Sequence, residues 1–350
     1  MGVFFLDFML FRNISSLLFY TYNPKDRDYK GALEFLNSNI RLLRKNKTDE
    51  VLRNFNISDS HKKHFSNKDI TELLSTMIIS GFDSNWKKTR NIDNHLFKGN
   101  FRKNDSINNP EVRSVIKKGL DLMKACKDPF HDVTHIIRCV RFARYLYDNE
   151  YYDLDWGTIA AAVVWHDISR VTDLGFFHRN NLKTLRHVPF LQDLNIIENN
   201  LTDVGKSTLL MKNNLTDHGL DKEFIKKVAS TISGSDNMKI LKNFFGGTIK
   251  NRHRQIMYDV DTIDLFTLGR WESANRNVMY KKQGDKNSLN RELLLGFIFG
   301  IPNAYYKTYS NTTKAICKLS IAVNLGYGKM FYPTDHRYVY DSARRTGLIN

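Results

Sequence analysis

Residues 159–165 (IAAAVVW) are apolar at every position, and this segment constrains the fold of the chain more than any other. A helix that is apolar on all of its faces has no side to present to water, so other elements of a sizeable core must surround it. The segment runs directly into His166 and Asp167. Because an isolated buried charge is costly, this pair must be bonded to partners or to a bound ion.

Two further segments place ionisable residues on apolar helical patterns. His135 lies on a helical stripe whose other members are Ile136, Cys139, Val140, Phe142, Ala143 and Leu146. Asp261 lies in residues 256–266 (IMYDVDTIDLF). A single buried histidine is more often a hydrogen-bonded core residue than a ligand. Two imidazoles and two carboxylates together, however, are sufficient to hold one divalent cation and leave positions open for water, so the set predicts a metal site.

The order of these residues, a histidine, a His-Asp pair and a distal aspartate, resembles the signature of the HD-domain metal-dependent phosphohydrolase superfamily. Residues 135–146 are similar to the first metal helix of that family, residues 160–170 to its apolar second helix, and residues 258–270 to its closing helix. The resemblance covers roughly residues 111–290. It implies an all-α, mostly helical fold: an HD-domain helical bundle with N- and C-terminal extensions.

The resemblance also implies the ligands. They are His135, His166, Asp167 and Asp261. Asp261 is preferred to the alternative, Asp259, because the family's ligand is the second aspartate of the run. Asp264, one helical turn further on, is expected to support a ligand by hydrogen bonding. Nitrogen and carboxylate ligands suit Mn, Fe, Co, Ni or Mg better than structural zinc, which favours cysteine.

One metal ion per site is expected rather than two. Relatives with two metals have extra histidines between the dyad and the last aspartate, for which His178, His187 and His218 are candidates. The segments LTDVGKSTLLM and STISGSDNM, where those histidines are expected, contain none.

The implied chemistry is hydrolysis, in which a metal-bound water attacks phosphorus. The expected catalytic residues are His166, Asp167, Arg138 and Asp173. Arg138 either clamps a phosphate, since guanidinium binds phosphate in a bidentate manner, or is an exposed basic position. Arg170 and Asp173 follow the dyad and are expected to position the substrate or to act as an acid.

Three functions remain open from the sequence. The first is a phosphohydrolase whose partner is a phosphate-bearing small molecule, expected to be a nucleotide. The second is a phosphodiesterase or nuclease acting on nucleic acid or cyclic nucleotides, which the formal net charge of +16 favours, although lysine is abundant throughout the chain. The third is a non-catalytic regulatory binding protein. The sequence does not decide the oligomeric state.

The chain divides on composition into three ranges: residues 1–110, rich in Lys and Asn; residues 111–290, the HD-type domain; and residues 291–350, a C-terminal extension expected to pack on it. Residues 86–112 are expected to be a loop or linker. Asp7 and Arg12 interrupt the apolar N-terminal run, so no stable membrane insertion is expected. Three cysteines without a CxxC pair suit a cytoplasmic protein.

Overall fold

A computed structural model describes residues 28–79, 92–126, 131–172, 204–233, 249–273 and 308–331, with isolated positions between 305 and 349. These residues form helices and no strand, which confirms the all-α prediction.

The described residues of the N-terminal part form five helices: α1 (Tyr29–Arg44), α2 (Thr48–Asn54), α3 (Asp59–Lys62), α4 (Asn67–Met77) and α5 (Ile92–Phe97). Ser66 begins α4 with a capping box, in which its hydroxyl accepts from Asp69 N and the Asp69 carboxylate accepts from Ser66 N. The prediction that residues 86–112 are only loop is wrong, because α5 lies within them. Leu96 is fully buried and its carbonyl accepts a hydrogen bond from Trp156 Nε1. These tertiary contacts stabilise a helix that the local sequence does not predict.

The remaining helices carry the predicted metal residues and their surroundings. They are α6 (Pro110–Met123), α7 (Val133–Leu146), α8 (Trp156–Trp165), α9 (Ser169–Thr172), α10 (204–217), α11 (Lys222–Ser233), α12 (Arg252–Leu265), α13 (268–273) and α14 (Asn311–Phe331). A 3-10 turn (Ser106–Asn108) precedes α6, and a π-helical turn (Tyr147–Tyr151) follows α7.

Helix α8 is the buried centre of this arrangement. Every one of its residues is buried, and α6, α7 and α11 pack around it. The approach of α6 is close: a Cβ on Gly119 would lie 2.6 Å from Cγ1 of Val164 and 2.7 Å from Nε1 of Trp165. The segment that is apolar on all faces is therefore surrounded by helices, as its pattern predicted.

Two carboxylates fix the start of α8, because each accepts hydrogen bonds from N–H groups next to the other. Asp105, before the 3-10 turn, accepts from the backbone N–H groups of Trp156 and Gly157. Asp155, the residue before α8, accepts in return from Ser106 N and from Thr158 N. The exchange satisfies helix N–H groups that would otherwise have no partner, and it sets the position of α8 along its axis.

The N- and C-terminal parts contribute to the same hydrophobic core as the central helices. One continuous cluster of buried residues runs from Ala32 to Ala343. Helix α14 packs against α12 and against α1, α3 and α4. Its Gly326 lies so close to α2 that a Cβ there would be 1.9 Å from the Phe55 carbonyl oxygen.

Among the described residues, no helix has both the length and the apolar character needed to cross a membrane. The apolar N-terminal run, residues 1–22, lies outside the described residues.

Candidate metal centre

Three predicted ligands converge in the core between α7 and α8. His135 lies in the first turn of α7, and His166 and Asp167 follow the last residue of α8. The two Nε2 atoms of the histidines are 3.1 Å apart, and each lies 3.2 Å from Oδ2 of Asp167. These side chains form a buried group that is able to hold a metal ion.

Hydrogen bonds at the far side of each ring determine which ring nitrogen points to the centre. Nδ1 of His135 lies 2.6 Å from Oδ2 of Asp264, and Nδ1 of His166 lies 2.7 Å from the carbonyl oxygen of Val163. Each Nδ1 faces an acceptor and therefore carries the hydrogen. In the neutral rings, both Nε2 atoms then present lone pairs to the centre, as metal-binding histidines do.

Three acceptor atoms consequently face one another in a buried space. Oδ2 of Asp167 is buried and receives no hydrogen bond from the described residues, and the two Nε2 lone pairs stand beside it. Lone pairs at such separations repel unless a cation lies between them. This donor set fits a divalent metal ion without rearrangement of the described side chains.

The pKa shifts of His135 and Asp167 also favour a cation at this position. Burial lowers the pKa of His135, but the neighbouring Cys139 and Asp264 outweigh burial and raise that pKa well above its usual range. Burial raises the pKa of Asp167, but His166 and His131 hold it well below its usual range. A proton on His135 therefore competes with a metal ion for the same position.

The fourth expected ligand, Asp261, lies at the edge of this group. Its Oδ1 is 3.9 Å from Nε2 of His135, further than Asp167. The alternative ligand, Asp259, has other partners. Its carboxylate accepts from the backbone N–H groups of Tyr309 and Ser310, immediately before α14. Burial raises the pKa of Asp259 to about 7. The two aspartates thus have separate positions, and Asp261 is the one beside the histidines.

Asp264, expected to support a ligand, bonds to four side chains of the site. Besides His135, it accepts from Nε of Arg138 at 2.5 Å, from Nη1 of Arg270 at 3.2 Å and from Oγ1 of Thr267 at 3.1 Å. Burial acts to raise the pKa of Asp264, but Arg138 and His135 hold it well below its usual range. Asp264 therefore stays ionised and fixes the orientation of the His135 ring.

Of the two environments expected for Arg138 from the sequence, the exposed one is wrong. It is only 1% exposed, so it is not a surface position. Its guanidinium holds Asp264 through Nε and Nη2, and its Nη1 donates to the carbonyl oxygen of Ile79 at 2.7 Å. These contacts hold Asp264 in place, and the role of Arg138 as a phosphate clamp stays a prediction.

Two residues of the site carried no assigned role in the sequence prediction. Arg270, in α13, is buried, and its Nη1 lies 3.8 Å from Oδ1 of Asp261 as well as 3.2 Å from Asp264. Its Nη2 donates to Nε2 of His131 at 3.2 Å. His131 precedes α7, and its ring meets His135 edge-on at 5.7 Å. In the sequence, the four-residue spacing between His131 and His135 could have indicated that His131 lies near the site. No sequence pattern indicated a role for Arg270.

Cys139 also lies close, with its Sγ 3.6 Å from Nδ1 of His135. His135, Cys139 and Asp264 form a second group able to hold an ion. The first group is the better candidate, since Arg138 and Arg270 already neutralise Asp264. Burial raises the pKa of Cys139 to about 11, so without a bound ion it is a thiol.

Asp173, His178 and His187 lie outside the described residues. His218 follows α10, where its Nδ1 donates to the carbonyl oxygen of Asn214 at 2.8 Å. Among the described residues, both groups able to hold a metal share His135.

Comparison of the chain with protein-family models, with curated proteins and with solved structures finds no match.

Proposed function

We propose that this protein is a metal-dependent phosphohydrolase of the HD type, acting on a nucleotide or another small phosphate ester. The observation that carries the proposal is the convergence of His135, His166 and Asp167. Their three acceptor atoms meet within 3.2 Å in the core, and no donor from the described residues reaches Asp167 Oδ2. Burial of such groups without a bound cation is costly, and a catalytic metal repays that cost through function.

The charges around the centre support an anionic substrate. Three carboxylates, those of Asp167, Asp261 and Asp264, face two guanidiniums, those of Arg138 and Arg270. In the metal-free site a proton on His135 brings the formal charge to 0. A divalent cation that displaces this proton brings the charge to +1, so the loaded site attracts a phosphate more strongly than the metal-free site does.

Each residue then has a defined part. His135, His166, Asp167 and Asp261 would hold the ion, and Asp264 keeps the His135 ring turned with Nε2 toward the centre. When bound, a divalent ion supplies a Lewis acid that lowers the pKa of a coordinated water and polarises a phosphoryl oxygen. Asp261, at the edge of the group, provides a carboxylate oxygen able to accept a proton at the centre, and the buried surroundings restrict the access of bulk water.

A phosphodiesterase or nuclease is the second candidate, because the net charge of +16 suits a polyanionic substrate. The two candidates share the centre and differ in the substrate. A single panel of substrates therefore distinguishes them.

The first experiment is metal-dependent turnover of such a panel by the full chain: nucleoside mono- and triphosphates, sugar phosphates, a generic phosphodiester and single-stranded DNA, each with Mn²⁺, Co²⁺, Ni²⁺ or Mg²⁺. We expect phosphate release from a nucleotide or another monoester. Asp167→Asn should lower that activity by about 100-fold or more, since loss even of residues that only support ligands costs about 10–100-fold.

Asp121→Asn is the matched control, because Asp121 is an exposed aspartate paired with Lys124 and should leave activity unchanged. Cleavage of only the diester or the DNA would replace the first function with the second. Metal binding without turnover of any substrate would contradict both and favour a regulatory protein.

A further inference from the structure

Arg270 contacts the same carboxylate as Arg138, that of Asp264, and also lies beside Asp261. Its Nη1 contacts Asp264 at 3.2 Å and lies 3.8 Å from Oδ1 of Asp261. That Asp261 oxygen is itself 3.9 Å from Nε2 of His135. The guanidinium therefore flanks the position between the histidines and Asp261, next to the place where an ion would be held.

The two arginines differ in what their remaining donors meet. Arg138 directs Nη1 into the protein, to the backbone oxygen of Ile79. Arg270 directs Nη2 to an imidazole nitrogen, Nε2 of His131. His131 is partly exposed, whereas His135 behind it is fully buried. Arg270 therefore connects the buried carboxylates to a partly exposed imidazole.

An imidazole nitrogen is a neutral acceptor, and a phosphate oxygen is an ionised one. The guanidinium is ionised in both bonds, but a phosphate also supplies an ionised acceptor and two oxygens that match the planar guanidinium fork. A phosphate arriving at the centre would therefore replace His131 as the acceptor of Arg270 Nη2. The displaced imidazole could then itself donate a hydrogen bond to the same phosphate.

We propose that Arg270 and His131 form the phosphate-binding edge of the metal centre, with His131 giving up its bond to Arg270 when a phosphate binds. The inference rests on the proposed function and deepens it, because it names the residues that recognise the phosphate group. Arg138, by contrast, positions Asp264 and does not contact the phosphate.

The test is calorimetric titration of inorganic phosphate into the Mn²⁺-loaded full chain. His131→Phe keeps a planar ring and removes both nitrogens, and Arg270→Lys keeps the charge but loses the planar fork. We expect each variant to raise the Kd for phosphate tenfold or more. Mn²⁺ affinity should be unchanged in His131→Phe, because His131 is not among the ligands. His218→Phe and Arg254→Lys, whose side chains bond to Asn214 and Ser230, are the matched controls.

A second measurement follows the His131 ring by ¹⁵N NMR with the diamagnetic ion Mg²⁺. Addition of phosphate should move the Nε2 signal of His131 from that of an acceptor nitrogen toward that of a protonated one. An unchanged phosphate Kd in His131→Phe, or an unmoved Nε2 signal at saturating phosphate, would overturn the proposal even if the enzyme hydrolyses esters. Failure of the proposed function has a different result: the wild-type chain binds metal but turns over no substrate.

Discussion

At the scale of single residues, the carboxylate of Asp264 determines whether His135 is oriented to bind a metal ion. Asp264 bonds to His135 Nδ1 at 2.6 Å and is held by Arg138 and Arg270. Without this contact, neither the proton position nor the orientation of the His135 ring would be fixed. Such supporting contacts raise the basicity of a metal-binding histidine and restrict its motion.

Arg138→Lys tests this support. The lysine keeps the positive charge but cannot hold Asp264 through two nitrogens, so we expect the affinity for Mn²⁺ to fall about 10-fold or more. Calorimetric titration with Mn²⁺ measures the change. Arg144→Lys, in the same helix but paired with Asp148, is the control and should bind the ion normally. Unchanged Mn²⁺ affinity together with weaker phosphate binding in Arg138→Lys would restore the role of Arg138 as a phosphate clamp.

At the scale of elements, the position of α8 sets where the His-Asp dyad lies. The dyad follows the last residue of this helix, and the exchange of carboxylates at Asp105 and Asp155 fixes the first. Four groups of Ser106 and Thr158, two backbone N–H groups and two hydroxyls, donate to Asp155. Loss of this anchor would let α8 and its attached ligands shift.

Asp155→Asn should therefore destabilise the fold by about 1–3 kcal/mol at neutral pH, because the amide retains only one of the two acceptor oxygens. Burial opposes ionisation, but the bonds from Ser106 and Thr158 lower the pKa of Asp155 below its usual value of 3.8. A lowered carboxyl pKa stabilises the fold above pH 3.8, and this contribution is lost as the pH falls through the folded-state pKa.

Urea unfolding at several pH values measures the difference between wild type and Asp155→Asn, which should shrink in acid. Asp153→Asn, which removes the neighbouring exposed ion pair with Arg252, is the control and should cost much less. An equally small effect of Asp155→Asn at neutral pH would contradict the anchoring role.

At the scale of the whole molecule, both terminal parts contact the helices that carry the centre. The carbonyl of Ile79, just after α4, accepts from Arg138, and Asp259 of α12 accepts from the backbone N–H of Ser310, immediately before α14. Ser320 and Asn324 of α14 both donate to the carbonyl oxygen of Phe266. Contacts that support these helices therefore come from residues before 110 and after 290.

Metal binding should accordingly protect the terminal parts as well as the ligand helices. An ion at 100 times its Kd stabilises the folded state by about 2.7 kcal/mol. Hydrogen exchange followed by mass spectrometry should show slower exchange of core amides in α4 and α14, along with α7, α8 and α12. Asp167→Asn should abolish the protection, whereas Asp121→Asn should retain it. Protection confined to α7, α8 and α12 would show that the terminal parts unfold independently.

Local patterns predicted the features that depend on residues near in sequence. The apolar run 159–165 predicted a buried helix, and α8 is buried at every residue. The order of His135, His166, Asp167 and Asp261 predicted a shared centre, which the structure brings together with Asp261 at its edge.

The sequence alone thus determined the all-helical class, the central buried helix and the candidate ligands, since periodicity and residue type are local properties. Only the tertiary structure decided the environments of Arg138 and Arg270, the hydrogen-bonded nitrogen of each histidine and the helix at Ile92–Phe97. The bond between His135 and Asp264 joins positions 129 residues apart, and that between Arg270 and His131 spans 139. No periodic pattern records such pairs, because they exist only once the helices have packed.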